Sequence, residues 1–167
     1  GGIRSPQKIT GRVPLSSSVL ECAESSTGKS KKATEKDIKK IINDFTNSAY
    51  RCYKAGFDGI ELHGAHGYLI SQFLGEKTNL RSDKWGGKLK NRARLLLNII
   101  DSIKKNVPED FIVGVRISPE IESIGIKLKD TIKLVGILRD LPIDFIHLSC
   151  WDVFLKSKFL TDEKRTL

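Results

Sequence analysis

Apolar residues recur at helical spacing from Thr34 onward. Ile38, Ile41, Ile42, Phe45, Ala49 and Cys52 form one stripe, which predicts a helix ending at Ala55 before Gly56. Thr34 and Asp37 supply its cap and an acidic first turn. A short apolar run, Phe57 to Leu62, then reads as a strand. The pattern repeats twice. A helix over Asn91 to Lys105, with Ala93, Leu96, Leu97, Ile100 and Ile103 on one face, precedes the apolar run Phe111 to Val115. Such a continuous run suits a strand buried on both faces of a parallel sheet. A third helix over Lys129 to Arg139 aligns Ile132, Val135 and Leu138, and Ile143 to Leu148 follows as the third strand.

Threefold helix–strand alternation indicates an α/β fold with parallel strands and right-handed crossovers. A doubly wound sheet and a (β/α)₈ barrel both satisfy it. Side-chain parity adds direction. Glu61 and His63 share one face of the first strand, Gly114 and Arg116 one face of the second, His147 and Ser149 one face of the third. The aliphatic face belongs to the helices. The other face turns polar toward the C-terminal strand ends, where open sheets and barrels keep their chemistry.

Residues 1–33 show no periodicity and read as a loop or frayed N-terminal segment. The partial barrel domain is expected over 34–155, with a truncated C-terminal segment at 156–167. The chain starts at Gly1 and contains no methionine, which is read as a sign of a fragment.

Composition narrows the classes. Over 167 residues, 39% are hydrophobic and 29% charged, as in a globular domain. No apolar run reaches the roughly 20 residues of a membrane span, and the N-terminus has no signal-peptide pattern, so a cytoplasmic location is expected. Cys22, Cys52 and Cys150 are too few and too far apart for a disulfide framework or a thiolate metal site. The net charge of +9 permits contact with phosphates, but the lysines are scattered along helix faces. Ala23 to Ser30, AESSTGKS, matches a relaxed phosphate-loop pattern without the strand and helix that its mechanism needs. It is taken as a coincidence.

The densest chemical cluster is HGAHGYL, His63 to Leu69. A metal would need a third ligand that no familiar spacing supplies. Two histidines packed in a loop is the bland reading. Two neutral donors beside the Tyr68 phenol suit polarisation of a carbonyl and delivery of a proton. A second cluster, TNLRSDKWGG at Thr78 to Gly87, reads as an ordered long loop. His147 reads as a core or rim histidine, and Cys150 and Trp151 as packing residues.

AGFDGIELHGAHGYLISQFL, TNLRSDKWGG, NRARLLLNIIDSIKK and VGVRISPE occur here in the order and spacing of the Old Yellow Enzyme family, which the chain resembles densely over residues 55–120 and loosely over 38–151. The resemblance implies the fourth to sixth units of a (β/α)₈ barrel, with FMN at its C-terminal mouth, NAD(P)H as reductant and a small-molecule alkene or enone as substrate. It implies that His63 and His66 bind the substrate carbonyl, that Tyr68 protonates the α-carbon and that Arg116 meets the flavin's pyrimidine edge. It implies an FMN phosphate site on strands beyond the third. Neither nucleic acid nor membrane is an expected partner; a homo-oligomer is compatible with a full-length enzyme. Two positions depart from the family: Gly75-Glu76-Lys77 replaces a Ser-Pro loop, and Lys88 and Lys90 replace an acidic helix start. The rival readings are a truncated, non-enzymatic remnant of such a barrel and a basic module that binds phosphates or nucleic acid.

Overall fold

The computed structural model describes residues 1–150 and Phe154. Trp151 and the segment 156–167 therefore lie outside the described residues. Short elements come first: a 3₁₀ turn at Gly2–Arg4, α1 (Gln7–Thr10), and the two-residue strands β1 (Leu15–Ser16) and β2 (Lys31–Lys32), which pair in parallel. The main body follows as α2 (Glu35–Lys54), β3 (Gly59–Gly64), α3 (Leu69–Leu74), α4 (Leu89–Arg92), α5 (Arg94–Lys104), β4 (Ile112–Ile117), α6 (Leu128–Arg139) and β5 (Phe145–Leu148).

The sheet β3-β4-β5 is parallel throughout and in chain order. That is the topology of consecutive strand–helix units. α2 and α5 pack together on the sheet's aliphatic face, where Leu62, Val113, Val115 and Ile117 meet Ile38, Leu96, Ile100 and Ile103. Thr34 caps α2 through a reciprocal pair of bonds with Asp37, satisfying two donors at the helix start. Lys88 stands before α4 without a side-chain cap, as its replacement of an acidic start implies. No helix among the described residues is long and apolar enough to cross a membrane.

Two expectations need correction. The first strand runs two residues further than Phe57 to Leu62: His63 and Gly64 still pair with Arg116 and Ile117. Phe57 precedes the strand and is exposed. Backbone pairing carries the strand past the end of its apolar run. In α6, Ile132 is 64% exposed, whereas Thr131, Leu134 and Leu138 are buried. Leu138 is buried as expected and Val135 packs partly against the core, so only Ile132 leaves the predicted stripe.

Residues 1–33, expected as a loop or frayed end, are mostly irregular with the short elements named above, and hydrogen bonds hold them to the body. Ser16, Ser17 and Ser18 are buried. Ser16 donates to Gln72 Oε1 at 2.8 Å, Ser17 donates to the carbonyls of Gln72 and Thr78, and Ser18 accepts from Leu80 N. A segment held by hydrogen bonds leaves no apolar period to read. The phosphate-loop-like stretch is a turn: Glu21 bridges Lys29, Cys22 N donates to Gly28 O, and β2 follows where a helix would be needed.

Candidate active site

Strand register stacks two rows on the sheet's polar face. Glu61, Gly114 and Phe145 make the lower row; His63, Arg116 and His147 make the upper row, toward the C-terminal ends. Gly114 is required by close approach. A Cβ there would lie 2.1 Å from the Phe145 ring.

Above the upper row, the chain turns sharply from β3 into α3. His66 has φ +58°, and Gly67 follows at +71°. A left-handed backbone at a histidine costs on the order of 1–3 kcal/mol and persists where its surroundings impose it. Here Ser118 Oγ accepts from His66 N at 3.2 Å, and Ser149 Oγ meets His66 Nε2 at 2.8 Å. The turn gathers three rings. His63 lies 5.2 Å from His66 edge-on and 5.0 Å from Tyr68, between ring centroids. The Arg4 guanidinium covers the other ring, 5.5 Å from the Tyr68 centroid.

The histidines are held neutral. Burial lowers the pKa of both, and neighbouring cationic groups reinforce it: Arg116 beside His63, Arg116 and Arg4 beside His66. Glu61 opposes the shift at His63. Ala65 N donates weakly to His63 Nδ1 at 3.4 Å, which places the ring proton on Nε2 and makes that nitrogen a donor. The sign for stability follows. The folded state takes up these protons less readily than the unfolded chain, so stability is full at neutral pH. It falls as pH drops below the ordinary value of 6.5, and levels off below the lowered values. Urea midpoints should therefore decline on acidification from pH 7 through that window, and His63→Gln should flatten the decline.

Sequence reasoning left Glu61 and His147 without a role. Glu61 Oε1 lies 2.8 Å from Arg116 Nε, and its Oε2 lies 2.8 Å from His147 Nδ1. Arg116 Nε also approaches His147 Nδ1 at 3.3 Å. One nitrogen cannot both accept from arginine and donate to a carboxylate. The shorter, charge-favoured contacts prevail: Arg116 and His147 each donate to Glu61. The polar parity of β3 was the available signal.

The second motif cluster, Thr78 to Gly87, has another office. Arg81 is buried, donates to the carbonyls of Ser17 and Ala33 and pairs with Asp83. Asn79 donates to the carbonyls of Phe73 and Trp85, and Trp85 Nε1 donates to Glu35 at the start of α2. The loop ties the N-terminal segment and α2 to α3.

These residues suit one edge of a flavin. Arg116 carries positive charge on the open polar face, and no described residue hydrogen-bonds its terminal nitrogens. They can donate to an oxygen or nitrogen that gains negative charge.

A family model described as the NADH:flavin oxidoreductase / NADH oxidase family matches residues 5–166. A probable NADH-dependent flavin oxidoreductase of Bacillus subtilis is 39% identical over 173 residues, 99% of this chain and 46% of that protein. An NADH-dependent flavin oxidoreductase of Aspergillus parasiticus is 48% identical over 118 residues, 70% of this chain and 27% of that protein. The structure of the Old Yellow Enzyme homologue from Zymomonas mobilis matches with a TM-score of 0.78 at 29% identity, covering 88% of this chain and 44% of that one. Morphinone reductase in complex with tetrahydroNAD matches at 0.77 and 27%, covering 88% and 46%. The chain thus spans about half the length of these relatives or less. Its three strand–helix units are part of a (β/α)₈ barrel, in a family that works with FMN and NAD(P)H. By matched residues, strand order and motifs alike, the chain belongs to the NADH:flavin oxidoreductase family, that of Old Yellow Enzyme.

Proposed function

We propose that the protein carrying this chain is an FMN-dependent NAD(P)H oxidoreductase of ene-reductase type, acting on small activated alkenes or enones. The carrying observation is the set of His63, His66 and Tyr68 at one strand end, beside Arg116. Bound FMN supplies the chemistry of taking hydride from NAD(P)H and passing it to the alkene's β-carbon. The chain's residues supply the rest. Neutral His63 and His66 donate to the substrate carbonyl and favour negative charge building on its oxygen. Tyr68 delivers the proton to the α-carbon. Arg116 offers its guanidinium to the flavin's pyrimidine edge.

The test uses the full-length protein loaded with FMN. Para-substituted phenolates should bind at the oxidised flavin and give a long-wavelength band. His63→Ala with His66→Ala should weaken that binding about 10-fold or more, as loss of two hydrogen bonds near 1 kcal/mol each requires. An unchanged dissociation constant would remove both histidines from the substrate site. The 167 residues alone are expected not to bind FMN tightly, because Arg116 is the flavin contact that their geometry supports. Fluorescence titration checks this; micromolar affinity would refute it.

A further inference from the structure

Glu61 lies one row below the reacting groups, yet its carboxylate belongs to the row above. The register explains the reach. Glu61 sits opposite Gly114, and Arg116 sits opposite His63, two residues further on. Gly114 has no side chain, and the Phe145 ring of the next strand packs over it, where a Cβ would lie 2.1 Å from that ring. The carboxylate reaches toward the upper row and uses both oxygens: one on Arg116 Nε at 2.8 Å, one on His147 Nδ1 at 2.8 Å. The three residues come from three adjacent strands. All are partly covered, with side-chain exposures of 28% for Glu61, 33% for Arg116 and 43% for His147. A pair in that setting is screened less than a surface pair.

The choice of nitrogen matters. A carboxylate that binds the terminal Nη atoms competes with any ligand of the guanidinium. Glu61 takes Nε, the inner corner of the fork. That contact fixes the guanidinium plane and leaves the outer donors for another acceptor. The anchor His147 in turn holds the second oxygen, so Glu61 cannot swing to the outer nitrogens without losing that bond.

We infer that Glu61 is a positioning residue: held by His147 from the third strand of the sheet, it orients the Arg116 guanidinium toward the flavin and tempers the positive charge that the flavin meets. This rests on the proposed flavin reading. It assigns Glu61 no contact with substrate or flavin.

The test compares Glu61→Gln and Glu61→Asp with the parent, in the full-length protein. Glutamine keeps the size and removes the charge; aspartate keeps the charge and loses the reach. The first measurement needs no flavin. In ¹⁵N-arginine spectra, the Arg116 Nε–H should exchange with water at least several-fold faster in both variants. The second is the midpoint potential of bound FMN. Glu61→Gln should favour reduced over oxidised flavin about tenfold, which is about 30 mV upward for two electrons. Glu61→Asp should move it less, because the charge remains nearby. Faster exchange with an upward potential in Glu61→Gln supports the assignment. Unchanged exchange overturns the lock, and faster exchange with an unchanged potential overturns its bearing on the flavin. If the parent takes up no FMN, the flavin reading itself has failed, while the exchange data still judge the lock. Glu61→Asp keeps the comparison open should Glu61→Gln fold poorly.

Discussion

Arg92→Ala is expected to destabilise the chain by about 3–5 kcal/mol, the range for removing one partner of a buried ion pair. The Arg92 side chain is only 5% exposed. Its Nε donates to Leu74 O at 2.8 Å, Nη1 to Gly87 O at 3.1 Å and to Glu76 Oε1 at 3.2 Å, and Nη2 to Asp130 Oδ2 at 2.7 Å. One side chain thereby joins the end of α3, the loop before α4 and the start of α6. Alanine would leave Asp130, whose side chain is 15% exposed, without its cation, and two carbonyls without that donor. Lysine would keep the charge but not the fork, and should recover only part of the loss. Urea unfolding with an unchanged slope measures both. A loss below about 1 kcal/mol for alanine would mean that water replaces the network at little cost.

Glu76 shows why a departure from a family pattern need not weaken a loop. It lies in the Gly75-Glu76-Lys77 stretch that departs from the resemblance, and it pairs with Arg92 on one side and Lys127 on the other. Its carboxyl is held below the ordinary range, first by the Lys127 hydrogen bond. Spacing alone could not show this, because Lys127 lies 51 residues away.

The legible and illegible parts of the chain differ physically. Burial of apolar side chains leaves a period, so α2, α5 and the three main strands were readable, and Thr34 with Asp37 marked the first cap. The polar parity of β3 and β4 placed His63 and Arg116 on one face, and the register pairs them directly. Hydrogen-bonded order leaves no period. Ser16, Ser17 and Ser18 read as loop, and the sequence does not show that Gln72, Thr78 and Leu80 hold them. Arg81 was readable as part of an ordered long loop but not by its partners, Ser17, Ala33 and Asp83. Glu61 was readable as polar but not as a partner, because its partners stand on other strands, His147 86 residues away. In α6, Ile132 was assigned to the buried stripe that Leu134 and Leu138 occupy with Thr131. An apolar residue on either side of a short amphipathic helix satisfies the same period.

Tyr68→Phe should slow alkene reduction by about 10²–10⁴-fold while leaving flavin reduction by NAD(P)H nearly unchanged. The phenol stands at the entry of α3, with its ring against His63 and beneath the Arg4 guanidinium. Removing one oxygen keeps both ring contacts, so the shape of the site should persist. On the proposed function, what disappears is the proton source for the α-carbon. The hydride donated to the flavin needs no such proton, and His63, His66 and Arg116 remain for the substrate and cofactor contacts proposed for them. The two half-reactions therefore separate. Rapid mixing of oxidised protein with NADH or NADPH follows bleaching of the flavin band. Mixing of the reduced protein with an enone follows its return. An enone that carries a second activating group should lose less, because its α-carbon can take a proton from water after hydride transfer. If Tyr68→Phe slows bleaching and spares the return, Tyr68 acts in the reductive half-reaction and the assignment is wrong. If both rates stay unchanged, another donor reaches the α-carbon; among the described residues Ser149, bonded to His66 Nε2, is then the hydroxyl to replace next.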